Sequence, residues 1–290
     1  MSHWFLDSQA QLLPAELIFE RSRLRLDGLL DSARLDPEFD PENLLALAAA
    51  VCQLKMEEQV YQKRSGKIAA GLFKGLQYLP FALHSLLLPK LLGTYEAELA
   101  PLLQSLLPQL DFFIDVGCAE GYYVAGMAFL RRQLRCIGVD IDPKAKLLLE
   151  QLVRSNALEA TVAFAPTLRP ALLNCAGRGL ILVDVDGAEQ QILQELQAVL
   201  QEHQSITSLD LLLETDRAAD DLSNEAALLL LLQDIGFQLK MVIRQDPALR
   251  FSAAVAHFPF LAQAVCGWER DYPEQAWIHA TWSRGANQWA

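Results

Sequence analysis

An apolar run that ends in an acid and a bend of small residues constrains this chain more than any other stretch: Phe112-Phe113-Ile114-Asp115-Val116-Gly117-Cys118-Ala119-Glu120-Gly121. Phe112, Phe113 and Ile114 have the character of a buried strand, and Tyr122 to Arg132 continues as a helix. Strand, small-residue turn and helix is how an open α/β sheet brings backbone amides close to a nucleotide-like ligand. The spacing is Gly-x-Ala-x-Gly behind an acid, whereas Gly-x-Gly-x-x-Gly is the pattern that makes room for a pyrophosphate.

An acid at that strand end repels phosphate and suits a cationic amino-acid moiety, which points to S-adenosylmethionine. Two further segments agree. Residues 135 to 142, Arg-Cys-Ile-Gly-Val-Asp-Ile-Asp, read as a second strand delivering Asp140 about 20 residues past the loop, where an acid can accept both hydrogen bonds of a ribose diol. Asp142-Pro143 then opens a helix as cap and first-turn residue. Leu180 to Glu189 reads as a strand that carries Asp184 and Asp186 to the same edge, and Ser208 to Glu214 as another, followed by Thr215-Asp216.

On these residues the chain resembles the class I S-adenosylmethionine-dependent methyltransferases, and within them the FkbM-type group. Ile114 to Tyr123 is similar to that group's first motif, and Val183-Asp184-Val185-Asp186-Gly187-Ala188-Glu189 to its fourth-strand signature. The resemblance covers roughly residues 91 to 290. Asp186 stands where the group commonly has Glu. Glu214-Thr215-Asp216 lacks the His often found there, which weighs against a histidine-based mechanism.

The resemblance implies a Rossmann-like seven-stranded, mostly parallel sheet with helices on both faces, its last strand antiparallel between the fifth and sixth. It implies that Asp115, Gly117, Cys118, Ala119 and Gly121 shape the methionine end of the cofactor site. Asp140 and Ile141 lie at the ribose, Ala165 and Pro166 at the adenine, and Asp184 and Asp186 beside the transferred methyl. Asp184, Asp186 and Glu214 are the expected catalytic carboxylates, one of them removing a proton from a small-molecule hydroxyl of a sugar or secondary metabolite. Mg²⁺ held by Asp184, Asp186 and Asp216 is a less favoured alternative. Other readings are a non-catalytic protein that binds S-adenosylmethionine or S-adenosylhomocysteine, and a different nucleotide-dependent enzyme of Rossmann type.

Strands are expected near 112–116, 135–140, 160–164, 180–184, 208–214, 237–243 and 276–282. Helices are expected near 121–132, 143–156, 188–203 and 222–235. Residues 1–90 read as a separate helical domain, suited to dimerisation or to a lid. In it the spacing predicts helices over Pro14 to Leu30, from Asp40-Pro41 with Leu44, Leu47, Val51 and Leu54 on one face, and over Ser65 to Leu88 with a break at Pro80. A further helix is expected from Thr94 to Leu107, with Glu96 and Glu98 in its first turn. Residues 91–290 form the cofactor-binding domain, with an insertion at about 244–275.

With 36 acids against 24 Lys and Arg, the formal charge of −12 argues against nucleic acid as partner. Five scattered cysteines suggest a reducing, cytoplasmic setting. The start of the chain lacks the pattern of a leader. Gly75 to Leu92 holds Pro80, His84, Pro89 and Lys90 and falls short of a membrane span, so no integral membrane segment is expected; buried core or a partner-facing helix is the reading there, with weak association with a membrane surface as the lesser alternative. His257, His279, Glu269-Arg270 and Trp277 could border the acceptor but are more often packed or surface residues in such places.

Overall fold

The computed structural model describes residues 42–185, 187–215, 224–267 and 275–285, together with 27, 28, 31 and 269. In chain order its helices are α1 (Glu42–Lys63), α2 (Leu87–Leu92), α3 (Ala100–Leu106), α4 (Tyr122–Leu130), α5 (Pro143–Ser155), α6 (Leu168–Leu172), α7 (Glu189–Glu202), α8 (Glu225–Ile235) and α9 (Phe260–Val265). The strands are β1 (Phe112–Val116), β2 (Arg135–Val139), β3 (Val162–Ala165), β4 (Gly177–Val183), β5 (Ile206–Thr215), β6 (Gln238–Arg244) and β7 (Ala276–Ser283). The chain divides into two compact units. The first is Met1–Tyr95 with Pro247–Asp271, and the second is Glu96–Asp246 with Tyr272–Ala290.

The second unit is a seven-stranded sheet in the order β3-β2-β1-β4-β5-β7-β6. All neighbours run parallel except β7, which is antiparallel to both β5 and β6. This is the Rossmann-like arrangement expected, and each strand and helix expected after residue 111 is present within a few residues. Burial explains the parallel core: β1 is buried at every position, and the last five residues of β4 are too. Where β1 and β4 lie side by side, Phe112 faces Gly179, and a Cβ on Gly179 would stand 2.1 Å from the Phe112 ring. The ring therefore fits only over glycine.

Alternation separates the two sheet faces. Phe112, Ile114, Val116, Ile181, Val183, Leu211, Leu213 and Ile278 join one apolar cluster with α7 and α8 residues such as Leu196 and Leu228. Phe113, Asp115, Leu212, Glu214 and His279 consequently point to the other face. The strand order reverses between β1 and β4, which is where open α/β sheets form a ligand crevice at the strands' carboxyl ends.

The first unit departs from the expected helices. No helix covers 65–88. Ser65, Gly66, Gly71, Gly75 and His84 all take positive φ, and Lys67 pairs with Gln77 across an antiparallel bridge. Gly71 and Gly93 each approach the backbone around the other so closely that a Cβ would come within 2.0 Å of a carbonyl oxygen. The apolar residues that suggest a helix here, among them Phe73, Leu76, Tyr78 and Leu83, are instead the buried lining of a turn-rich segment. The helix expected from Thr94 starts later, because Glu96 has φ 45° and interrupts it, and Thr94 donates its hydroxyl to the Pro89 carbonyl. A short 3-10 turn, Ala97–Leu99, then leads into α3.

Within the same unit α1 is tied to the 247–271 segment by Gln53, whose side-chain amide donates to the Val265 carbonyl at 2.6 Å. Arg250 and Glu269 form a buried ion pair there. Leu54 of α1 is half-buried. Pro14 to Leu26, Asp40, Pro41 and the side chains of Leu44, Leu47 and Val51 lie outside the described residues. No helix among the described residues is long and apolar enough to cross a membrane.

Candidate functional site

At the end of β1 the chain must turn between two neighbouring strands, and this fixes the residue types in the loop. Gly117 has φ 85°, and a Cβ there would stand 1.7 Å from the carbonyl oxygen of Asp184. Its amide and that of Cys118 both donate to the Val139 carbonyl, at 2.8 and 3.1 Å, while the Asp184 amide donates to Val116 at 2.9 Å. The loops after β1, β2 and β4 are thereby laced into one ledge. Ala119 is left-handed at φ 47°. Gly121, at φ 94°, begins α4, and a Cβ on it would collide with Leu149. Larger residues at 117 or 121 would break this path.

Asp140, the first residue past β2, is half-buried. Its Oδ2 accepts the Ala119 amide at 2.9 Å and its Oδ1 the Asp142 amide at 2.8 Å. These two bonds fix the orientation of the carboxylate at the bend. Asp142 caps α5 by accepting the Lys144 amide, as expected. Between the two acids Ile141 is 92% exposed, a large apolar side chain placed at the ledge. Ala165 is buried at the end of β3, and its carbonyl accepts the Asp140 amide. Pro166 is exposed.

Cys118 is buried against Gly138, where a Cβ would meet its Sγ at 2.8 Å. Burial first, and then the charges of Asp115, Asp140 and Glu120, hold its thiol well above its ordinary value. It serves as a buried packing group of the bend.

A carboxylate group forms on the other side of the crevice. Asp184 follows β4 and is half-buried, and Glu214 near the end of β5 is 2% exposed. Glu96, 3% exposed, completes the group, and one carboxylate oxygen of each lies within 4.8 Å of the others. Tyr123, in the first turn of α4, donates its hydroxyl to Glu96 Oε2 at 2.5 Å. The same Glu96 charge, after burial, holds the Tyr122 phenol above its ordinary value. Three clustered oxygens are a donor set that a hard cation would accept.

The structure thus brings together Asp184 and Glu214 of the expected catalytic residues, and adds Glu96, which sequence spacing treats only as a first-turn helix acid. Asp186 and Asp216 lie outside the described residues. Asp115 is buried on β1, on the Glu214 face of the sheet. Glu189 is engaged locally, accepting the Gly187 amide at 2.7 Å and the Asn224 side chain at 3.3 Å.

Other residues singled out in the sequence lie elsewhere. Trp277 is core on β7, and Glu269 is paired with Arg250. His257 is exposed beside the Phe258 ring. His279 is buried, its Nε2 at 2.9 Å from Asp210 Oδ1. Arg270 lies outside the described residues.

Neither a protein-family model nor a curated protein sequence matches the chain. Among solved structures it is similar to the StiE O-MT, at 14% identity over 67% of this chain and 75% of that one, with a TM-score of 0.44. It is also similar to a precorrin-6y C5,15-methyltransferase from Geobacter metallireducens GS-15, at 12% identity over 64% and 88% of the two chains and a TM-score of 0.41. A third is a SAM dependent methyltransferase from Aquifex aeolicus, at 11% identity over 62% and 88% and a TM-score of 0.39.

Proposed function

We propose that this chain is an S-adenosylmethionine-dependent methyltransferase that methylates a hydroxyl of a small molecule. The observation that carries the reading is the Asp140 carboxylate, clamped by the Ala119 and Asp142 amides at the strand-order reversal beside a loop with no room for a side chain at Gly117 or Gly121. An acid fixed at this place suits a ribose diol, and the exposed Ile141 next to it suits one face of the adenosine. Asp115 and the Gly117 to Gly121 bend suit a cationic amino-acid end. The motif likeness to the FkbM-type group supports oxygen as the acceptor atom.

Methyl transfer from a sulfonium asks the protein chiefly to align an acceptor lone pair behind the methyl carbon, and positioning can supply about 7–11 kcal/mol of the acceleration. Glu214 or Asp184 accepts the proton that the hydroxyl loses. The anionic surroundings also favour a donor that arrives with positive charge.

Isothermal calorimetry with S-adenosylmethionine, S-adenosylhomocysteine and NADH tests the reading. It expects binding of the first two and none of the third. Folded protein that ignores both adenosyl ligands would remove the assignment.

The grouping of Glu96, Asp184 and Glu214 favours one second reading, in which these carboxylates would hold a divalent cation that would supply Lewis acidity at the acceptor. Turnover that persists in excess chelator excludes it, and turnover that stops and returns with Mg²⁺ adopts it.

A further inference from the structure

We propose that the first unit docks peripherally on an anionic lipid bilayer, with Phe251, Phe260 and Leu261 entering the interface and Lys63, Arg64, Lys67 and Lys74 meeting the headgroups. Two independent features of the unit carry this. Residues 247–267 contain a single Lys, Arg, Asp or Glu, namely Arg250, which is buried against Glu269. The same segment exposes Phe251 at 72%, Phe260 at 87% and Leu261 at 76%. Large apolar side chains exposed within one short segment that has no exposed charge of its own suit an interaction surface.

The second feature is electrostatic. Residues 59–95 hold five Lys and Arg and no Asp or Glu, in a chain whose acids outnumber its cations 36 to 24. Four of the five are exposed and crowd the end of α1 and the turn beyond it. Lys67 donates its amide to the Arg64 carbonyl, and Lys67 also pairs with Gln77, three residues from Lys74. The backbone amides of Ser65, Gly66 and Lys67 are all taken by carbonyls of the same turn. No backbone cradle is therefore offered to a single anion, and the cations meet a partner through flexible side chains. That suits a plane of headgroups.

The features belong to one compact unit. Gln53 of α1 holds Val265 at the end of α9, and Lys63 lies ten residues further on, about 15 Å along the helix. Apolar insertion combined with cations near the headgroups is how surface-bound proteins hold anionic membranes. A second copy of the chain fits less well. The two phenylalanines contribute about 150–250 Å² each, and with one leucine the set falls short of the roughly 800 Å² per partner of a stable interface. A nucleic acid would leave the apolar set without a role.

The test is co-sedimentation of the full chain with vesicles of phosphatidylcholine alone and of phosphatidylcholine with phosphatidylserine. Wild type is expected to bind the phosphatidylserine vesicles more tightly, and less so as salt rises, with no mutation needed. K63A/R64A/K67A/K74A is expected to lose affinity for them by at least about tenfold. F251S/F260S/L261S is expected to lose binding to both vesicle types. Both variants keep wild-type S-adenosylhomocysteine affinity if folded. Absence of binding to either vesicle overturns the proposal, as does binding indifferent to salt and to the four cations. Capture by heparin with the apolar variant unaffected would assign the cations to a polyanion instead. Light scattering that shows a dimer dissociated by F251S/F260S/L261S would assign the apolar set to a second copy. Either outcome overturns the lipid surface.

Discussion

Asp140 and Ala119, 21 residues apart, are joined by a 2.9 Å bond from the Ala119 amide to Asp140 Oδ2, so the acid of the second strand end and the bend of the first are one structural piece. A substitution at 140 therefore acts twice. It removes the acceptor proposed for a ribose, and it takes the carboxylate away from the Ala119 and Asp142 amides.

Asp140→Ala is expected to weaken S-adenosylhomocysteine binding by about 1–3 kcal/mol, the cost of unmade hydrogen bonds of this kind. Asp140→Asn keeps one carbonyl oxygen for an amide donor and is expected to lose less. Calorimetric titration of both variants checks this. Equal affinity in Asp140→Ala and wild type would mean that the acid serves only the loop.

Why Asp140 is legible in the sequence and Glu96 is not has a physical answer. The Gly117 bend, Asp140 and the Asp142 cap are set by neighbours in the chain, and so are the buried strand runs, whose period and punctuation show directly. Glu96 owes its place to Tyr123, Asp184 and Glu214, distant in sequence, and its left-handed backbone contradicts the helix that its surroundings suggest. Residues 65–88 mislead for the converse reason. Their apolar spacing fits a helix, but Gly66, Gly71 and Gly75 take positive φ, and backbone contacts such as that between Gly71 and Gly93 decide the path. The one available signal was the density of glycines in an apolar segment.

Tyr123→Phe leaves Glu96 buried without its hydroxyl donor. Loss of that bond is expected to cost about 1–3 kcal/mol of stability, and to shift the pH dependence of turnover because a carboxylate beside Asp184 and Glu214 is no longer held. Cofactor affinity is expected to stay near wild type. A denaturant midpoint, a pH–rate profile and a cofactor titration on one preparation separate these effects. An unchanged pH profile would make Tyr123 a packing residue alone.

Asp210 sits on β5 between His279 and Arg178, accepting from Arg178 Nη2 at 3.0 Å. Burial pushes its carboxyl up, but the hydrogen bonds from His279 and Arg178 and the Arg178 charge outweigh burial and set it below the usual 3.8. A carboxyl with a depressed folded value contributes stability that is complete above the unfolded value and is lost as pH falls through the folded one. The melting temperature is therefore expected to fall as pH drops below the ordinary carboxyl value of 3.8, and Asp210→Asn to flatten that acid limb while lowering stability at neutral pH. Thermal scans across the acid range decide it. An acid limb as steep in Asp210→Asn as in wild type would place the lost protonation elsewhere.

Glu57 gives the opposite sign. It is buried on α1, and its Oε1 accepts the Leu88 amide at 3.1 Å at the start of α2. Burial raises its carboxyl from 4.5 to about 7, against the lowering effect of the Leu88 and Leu87 amides. The folded state therefore holds this proton in a range where the unfolded chain has released it. Its contribution is complete below about pH 4.5 and is lost as pH rises through 7. Glu57→Gln keeps a carbonyl oxygen for Leu88 and carries no charge to bury. It is expected to melt close to wild type at pH 4.5 and above it at pH 8, with a ceiling of roughly 3 kcal/mol at the higher pH. Melting curves of the pair at both pH values check this, and a variant that is less stable than wild type at pH 8 would show that the charged carboxylate is held by its amide donors rather than penalised by burial.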